Sequence, residues 1–117
     1  MMIQAHKFDG VGFSRLVEFE GWTVAFLRYN ERFSAFTTLE RHTETDEVFV
    51  LLEGEAELFV GTSERVKMEK NTVYNIPKNI WHHIVVSEDA TILVVENKNT
   101  TAENTERVMV CDYSGNY

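Results

Sequence analysis

The sequence predicts an all-β fold, a sandwich or barrel of about ten short antiparallel strands. Three observations carry this. Runs of β-branched and aromatic residues recur at near-regular intervals, punctuated by Gly, Asn or acidic pairs. No segment places apolar residues at helical spacing for three turns. The sole proline, Pro77, falls between runs, where it removes no ladder donor.

The elements follow in order. "FSRLVEFE" stops at Gly21, and "WTVAFLRYN" ends at Asn30 and Glu31. "RFSAFTTLER" is read as the third strand. "DEVFVLLE" follows, closed by Gly54, then "EAELFVG", closed by Gly61. Glycine supplies the positive φ of a tight turn, so "LLEGEAEL" is a hairpin whose register puts Glu47, Phe49 and Leu51 on one face. Val48, Val50 and Leu52 share the other. Both faces are apolar beyond Glu47, so this strand is expected to be central and buried on both sides. "RVKMEKN" and "TVYNIP" are short strands, and "WHHIVVS" and "TILVVEN" flank Glu88 and Asp89. "ENKNTTAENTE" is a loop that carries the chain round an edge to the last strand, "TERVMVCDY".

A chain of 117 residues fits one domain, taken as 1–117. Its 44% hydrophobic and 12% aromatic content belongs to a globular protein. A net charge of -8 repels phosphate backbones and anionic lipid, so neither nucleic acid nor membrane is an expected partner. Cys111 is the only cysteine and has no histidine near it in sequence, so it is read as neither disulfide nor nucleophile. "MMIQAHKFDG" lacks an apolar signal core, and "VFVLL" is too short to span a bilayer; a cytoplasmic protein is expected.

The chemistry-bearing residues concentrate in two stretches. In "RHTETDEVFVLLEG", Glu40 just before it and His42 share a strand face, and the polar turn "TETD" can return Glu47 to the same cavity mouth. The second stretch, "NTVYNIPKNIWHHIVV", holds His82 and His83, of which only one can face inward. Both of their faces are apolar, so alternation does not choose between them. Two imidazoles and a carboxylate make a facial triad for Fe, Mn, Zn, Ni or Cu. The plainer reading is a solvated acidic turn beside hydrogen-bonded histidines. The residues alone leave both open. Tyr29, Tyr74 and Trp81 are read as packing rather than as a lining of the mouth.

Together the two stretches resemble the paired motifs of the cupin superfamily. In the first motif, His42 stands as the second histidine, Glu47 follows after four residues, and Gly54 after six more. Glu40 occupies the place of the first histidine. In the second motif, Asn71, Pro77, Asn79 and His82 stand at the spaced positions, with Asn71 and Asn79 in place of glycine and Val86 in place of the closing asparagine. Asparagine tolerates the left-handed conformation, so both turns can survive.

The resemblance implies a cupin-type double-stranded β-helix, a jelly-roll barrel with a metal site inside its cup. It assigns one divalent transition metal to His42, Glu47 and His82, with Glu40 as a fourth ligand or a general base, and it favours His82 over His83 as the inward residue. It implies a homodimer, for which the aromatic strands "WTVAFLRYN" and "RFSAFTTL" supply a face. The expected activity is that of a metal-dependent dioxygenase, isomerase or lyase acting on a small organic molecule. The alternatives are a non-catalytic module that binds or senses a small ligand or metal, and a bare scaffold. The motif positions expected inside the cup include no Arg or Lys, which argues against a sugar phosphate.

Overall fold

The strands form where the β-branched and aromatic runs stand, and the computed structural model describes residues 2–115. They are β1 (Gly12–Phe19), β2 (Trp22–Arg28), β3 (Thr38–His42), β4 (Glu47–Glu53), β5 (Ala56–Val60), β6 (Glu64–Lys67), β7 (Tyr74–Ile76), β8 (His82–Val86), β9 (Thr91–Asn97) and β10 (Thr105–Met109). They pair antiparallel into two five-stranded sheets, ordered β1-β2-β9-β4-β7 and β10-β3-β8-β5-β6. Among the described residues, helix is confined to three short 3-10 turns.

Three turns depend on special backbone. Gly54 has φ of 75° and packs so tightly that a Cβ there would lie 2.6 Å from the Ala90 Cα, so the β4–β5 hairpin requires glycine. Asn71 and Asn79, which stand where glycine is usual, take φ of 60° and 69°. Asparagine does replace glycine here, as expected.

Inward-facing residues change character along each central strand. On β4 the inward row runs Glu47, Phe49, Leu51; on β8 it runs His82, Ile84, Val86; on β9 it runs Glu96, Val94, Ile92. The two-residue strand period therefore stacks the interior in layers, with polar groups at one end and a closed apolar core at the other. Burial of that apolar end stabilises the sandwich and fixes the strand register that positions the polar layer.

Two expectations need correction. Residues 32–37 are not strand: Glu31–Phe33 form a 3-10 turn, because Asn30 caps it by accepting a hydrogen bond from the Phe33 N–H at 3.2 Å. Nor is β4 buried on both faces. Val48 and Val50 are half-buried and Leu52 is 41% exposed, because the outer face of the sheet lies outside the two-layer sandwich.

Candidate metal centre

Strand register assembles the polar layer. Glu40 on β3 lies opposite His82 on β8 and Arg107 on β10; His42 lies opposite Thr105; Glu47 on β4 lies opposite Glu96 on β9. One donor atom from each of Glu40, His42, Glu47 and His82 lies within 4.8 Å of all the others. All four residues named from the sequence are brought together, and His42, Glu47 and His82 are buried.

The hydrogen bonds orient the rings. His82 Nδ1–H donates to the Ile80 carbonyl at 2.9 Å, and His42 Nδ1 meets the Thr105 hydroxyl at 2.9 Å. With Nδ1 held from behind, Nε2 of each ring faces the centre, 3.0 Å from Glu47 Oε1. This is how a protein fixes the tautomer of a metal-binding imidazole. Glu40 Oε1 lies 3.9 Å from His42 Nε2, while Oε2 accepts from Arg32 at 2.7 Å and Arg107 at 3.1 Å. One Glu40 oxygen is thus tied outward and the other is left facing the centre. Two imidazoles and two carboxylates suit a divalent first-row ion, and this group could hold one.

The electrostatics follow from the same contacts. Burial alone would raise the Glu47 pKa, but hydrogen bonds from His42 and His82, and their charge, bring it down to about 2. Burial opposes protonation of His42 and His82, yet bonding and attraction to Glu47 raise both above 6.5. The Glu47 carboxylate and the two imidazoles thus favour one another's charged forms.

Sequence reading missed Glu96. It is buried, and burial followed by the neighbouring Glu47 charge pushes its pKa up to about 7. Its inward parity with Ile92 and Val94 was the available signal. It also missed the cations. A cavity of about 240 Å³ opens over the cluster, and Arg15, Arg32 and Arg107 line it, so the argument against an anionic ligand from the cation-free motif positions does not extend to the whole cup. Arg15 donates to the Thr100 carbonyl at 2.7 Å, which ties the 98–101 loop across the mouth. Those arginines come from β1, the 3-10 turn and β10, outside both motifs.

The remaining candidates lie elsewhere. His83 is as buried as His82 and borders the cavity, but it contributes nothing to the four-residue cluster. Tyr29 and Tyr74 pack against the core, Trp81 lies under the Arg41 guanidinium, and Cys111 is an exposed free thiol. No helix among the described residues is long and apolar enough to cross a membrane.

Residues 34–96, more than half of the chain, match the family model for a cupin domain. The chain is a cupin. Solved structures agree on the fold. A cupin-2 domain protein from Shewanella frigidimarina superposes with a TM-score of 0.65 at 21% identity, covering 78% of this chain and 85% of that one. An RmlC-like cupin with a double-stranded β-helix fold from Methanocaldococcus jannaschii gives 0.61 at 16%, over 83% and 92%. Pac13, described as a nucleoside dehydratase and known from Streptomyces, gives 0.62 at 12%, over 93% and 91%. No curated protein sequence matches this cupin.

Proposed function

We propose that this cupin is a metal-dependent lyase or isomerase that moves protons on a small organic molecule. The observation that carries the reading is the pairing of a donor cluster, His42, Glu47, His82 and Glu40, with a second carboxylate, Glu96, whose pKa of about 7 suits acid–base work at neutral pH. His42, Glu47 and His82 are the ligands. A bound divalent ion would supply Lewis acidity toward a carbonyl or hydroxyl oxygen. Glu40, through its inward Oε1, takes a proton from the substrate carbon. Glu96 gives its proton to the departing hydroxyl or to the neighbouring carbon. Proton transfer of this kind needs no oxidant, which sets the lyase and isomerase classes ahead of the dioxygenase class. That a cupin of the same fold is described as a dehydratase is consistent with it.

A binding module without chemistry is the second reading. One observation favours it: Glu47 Oε1 already bonds both Nε2 atoms, so the centre is satisfied without an ion. Hydrogen–deuterium exchange into a panel of small hydroxy and keto compounds in D₂O, followed by NMR, separates the readings. Exchange that stops with chelator, and in Glu40→Gln with metal uptake intact, supports the enzyme. Saturable binding without exchange supports the module.

We further propose that the protein is a cytoplasmic homodimer. Val24 and Phe26 on β2, Val48 and Val50 on β4, and Leu93 and Val95 on β9 form one apolar outer face, half-buried only by its own neighbours. Light scattering should give twice the chain mass at micromolar concentration; a monomer there removes the dimer.

A further inference from the structure

Arg32 and Arg107 meet at the cup with Glu40 between them. Each spends one donor on Glu40 Oε2, Arg32 through an Nη2 atom at 2.7 Å and Arg107 through Nε at 3.1 Å. A guanidinium carries five N–H donors, so most of each fork has no protein acceptor among the described residues. The side chains are 41% and 61% exposed, so those donors are open to solvent and to a ligand entering the cavity that both residues line. Arg15 differs: it is 29% exposed, and the carbonyls of Lys98 and Thr100 and the carboxylates of Glu18 and Glu96 surround it.

The placement is selective. The chain has 11 Lys and Arg against 19 Asp and Glu, yet three arginines line this cavity and no lysine does. Three glutamates, Glu40, Glu47 and Glu96, balance those three arginines. A divalent cation on neutral imidazoles therefore leaves the lining two charges positive with Glu96 ionised and three with it protonated. A neutral substrate would leave that charge unmatched; an oxyanion matches it. Planar forks also pair with planar or tetrahedral oxyanions through two parallel hydrogen bonds, which fixes orientation as well as charge.

We propose that Arg32 and Arg107 form an oxyanion subsite that holds the carboxylate or phosphate of a small anionic substrate, with its reacting end turned toward Glu40 and the His42–Glu47–His82 cluster. The inference rests on the reading of the cup as an enzyme site and names its substrate class. The cavity, about 240 Å³, lies below the roughly 300–1,000 Å³ of sites for drug-sized ligands, so the anion is short. Glu40 Oε2 is the internal occupant of the same donors. Removing its charge should free both forks.

The test is calorimetric binding of three probes, malate, inorganic phosphate and the neutral malamide, to the full chain, zinc-loaded and chelator-treated. Malate or phosphate should bind and malamide should not; which anion binds tells carboxylate from phosphate. Arg107→Ala should weaken binding about tenfold and the Arg32→Ala/Arg107→Ala pair further, as loss of charge-assisted hydrogen bonds implies. Arg107→Lys, which keeps charge but not the fork, should fall between, and Arg65→Ala, on the exposed strand β6, should change nothing. Glu40→Gln should raise anion affinity in the chelator-treated protein. The subsite is overturned if malamide binds as well as malate, if neither anion binds, or if the arginine variants, folded by circular dichroism, bind as the parent does. Zinc uptake measured on the same samples keeps the two claims apart: anion binding without zinc uptake sinks the metal reading and leaves the subsite standing.

Discussion

His82 turns into the cup, where the Ile80 carbonyl and Glu47 Oε1 hold its two ring nitrogens at 2.9 and 3.0 Å. His83, the next residue, takes the opposite strand face beside its register partner Phe59, with Phe33 and Phe36 each 6.2 Å away. Its Nε2 is buried without a hydrogen-bond partner among the described residues. Both residues are almost fully buried, so burial does not distinguish them. The carboxylate does. Burial lowers the His83 pKa, whereas for His82 the same penalty is outweighed by Glu47 and the pKa rises. One ring is a neutral packing group and the other is a poised donor, and a single step along a strand separates them.

The largest expected difference is in metal affinity. His82→Ala should lose at least about 100-fold in zinc affinity by titration calorimetry, while His83→Ala should stay within about threefold. The reverse result would put β8 out of register by one residue. His83→Ala should instead cost about 1–3 kcal/mol of stability, from the cavity it leaves against Phe33 and Phe36.

The pH dependence sharpens the contrast, because the two histidines have opposite signs. The folded His82 pKa is raised, so its contribution is present below 6.5 and is lost as pH rises through the folded value. His42 behaves alike. Glu96, raised from 4.5 to about 7, adds the same slope between those values. His83 is lowered, so its contribution is present above 6.5 and is lost as pH falls through its folded value. Glu47 acts only in acid, losing its contribution as pH falls from 4.5 toward 2. Thermal melts of metal-free protein should therefore fall from pH 5 to 8, and His83→Phe, which removes the one opposing slope, should steepen that fall on its acid side only. Zinc affinity should move the other way and climb with pH above 6.5, since the raised imidazoles must lose their protons to bind. A melting temperature that does not change between pH 5 and 8 would contradict this.

Smaller effects lie at the edges of the site. Glu40→Ala should reduce zinc affinity about tenfold rather than abolish it, because Glu40 supports the cluster from its open side. Smallest is the β1–β2 turn, where Glu20, not Gly21, adopts the left-handed φ of 46°. Glu20→Gly should raise stability by about 1 kcal/mol in a urea titration and leave metal uptake unchanged.

The strand pattern was legible because β-branched runs and turn residues punctuate it locally. His42, Glu47 and His82 were legible because their spacing carries two motifs. Glu96 was half-legible, through its parity with Val94. Arg15 and Arg107 were not, since only the pairing of β1 with β2 and of β10 with β3 brings them from the chain ends to the cup, and Arg32 was not, because it sits on the 3-10 turn that reads as strand. Asn30 hid the 3-10 turn: an aromatic-rich run after a capping residue reads as strand until the cap is seen to bond.

X-ray absorption at the zinc edge, on protein loaded with one equivalent, tests the central claim most directly. The account predicts one ion per chain, two imidazole nitrogens and the rest oxygen, at about 2.0–2.2 Å. His82→Ala should lose one of the two nitrogens along with most of the uptake. A spectrum with sulfur, with imidazole unchanged in His82→Ala, or with no bound ion at all would show that these four residues do not form the metal centre.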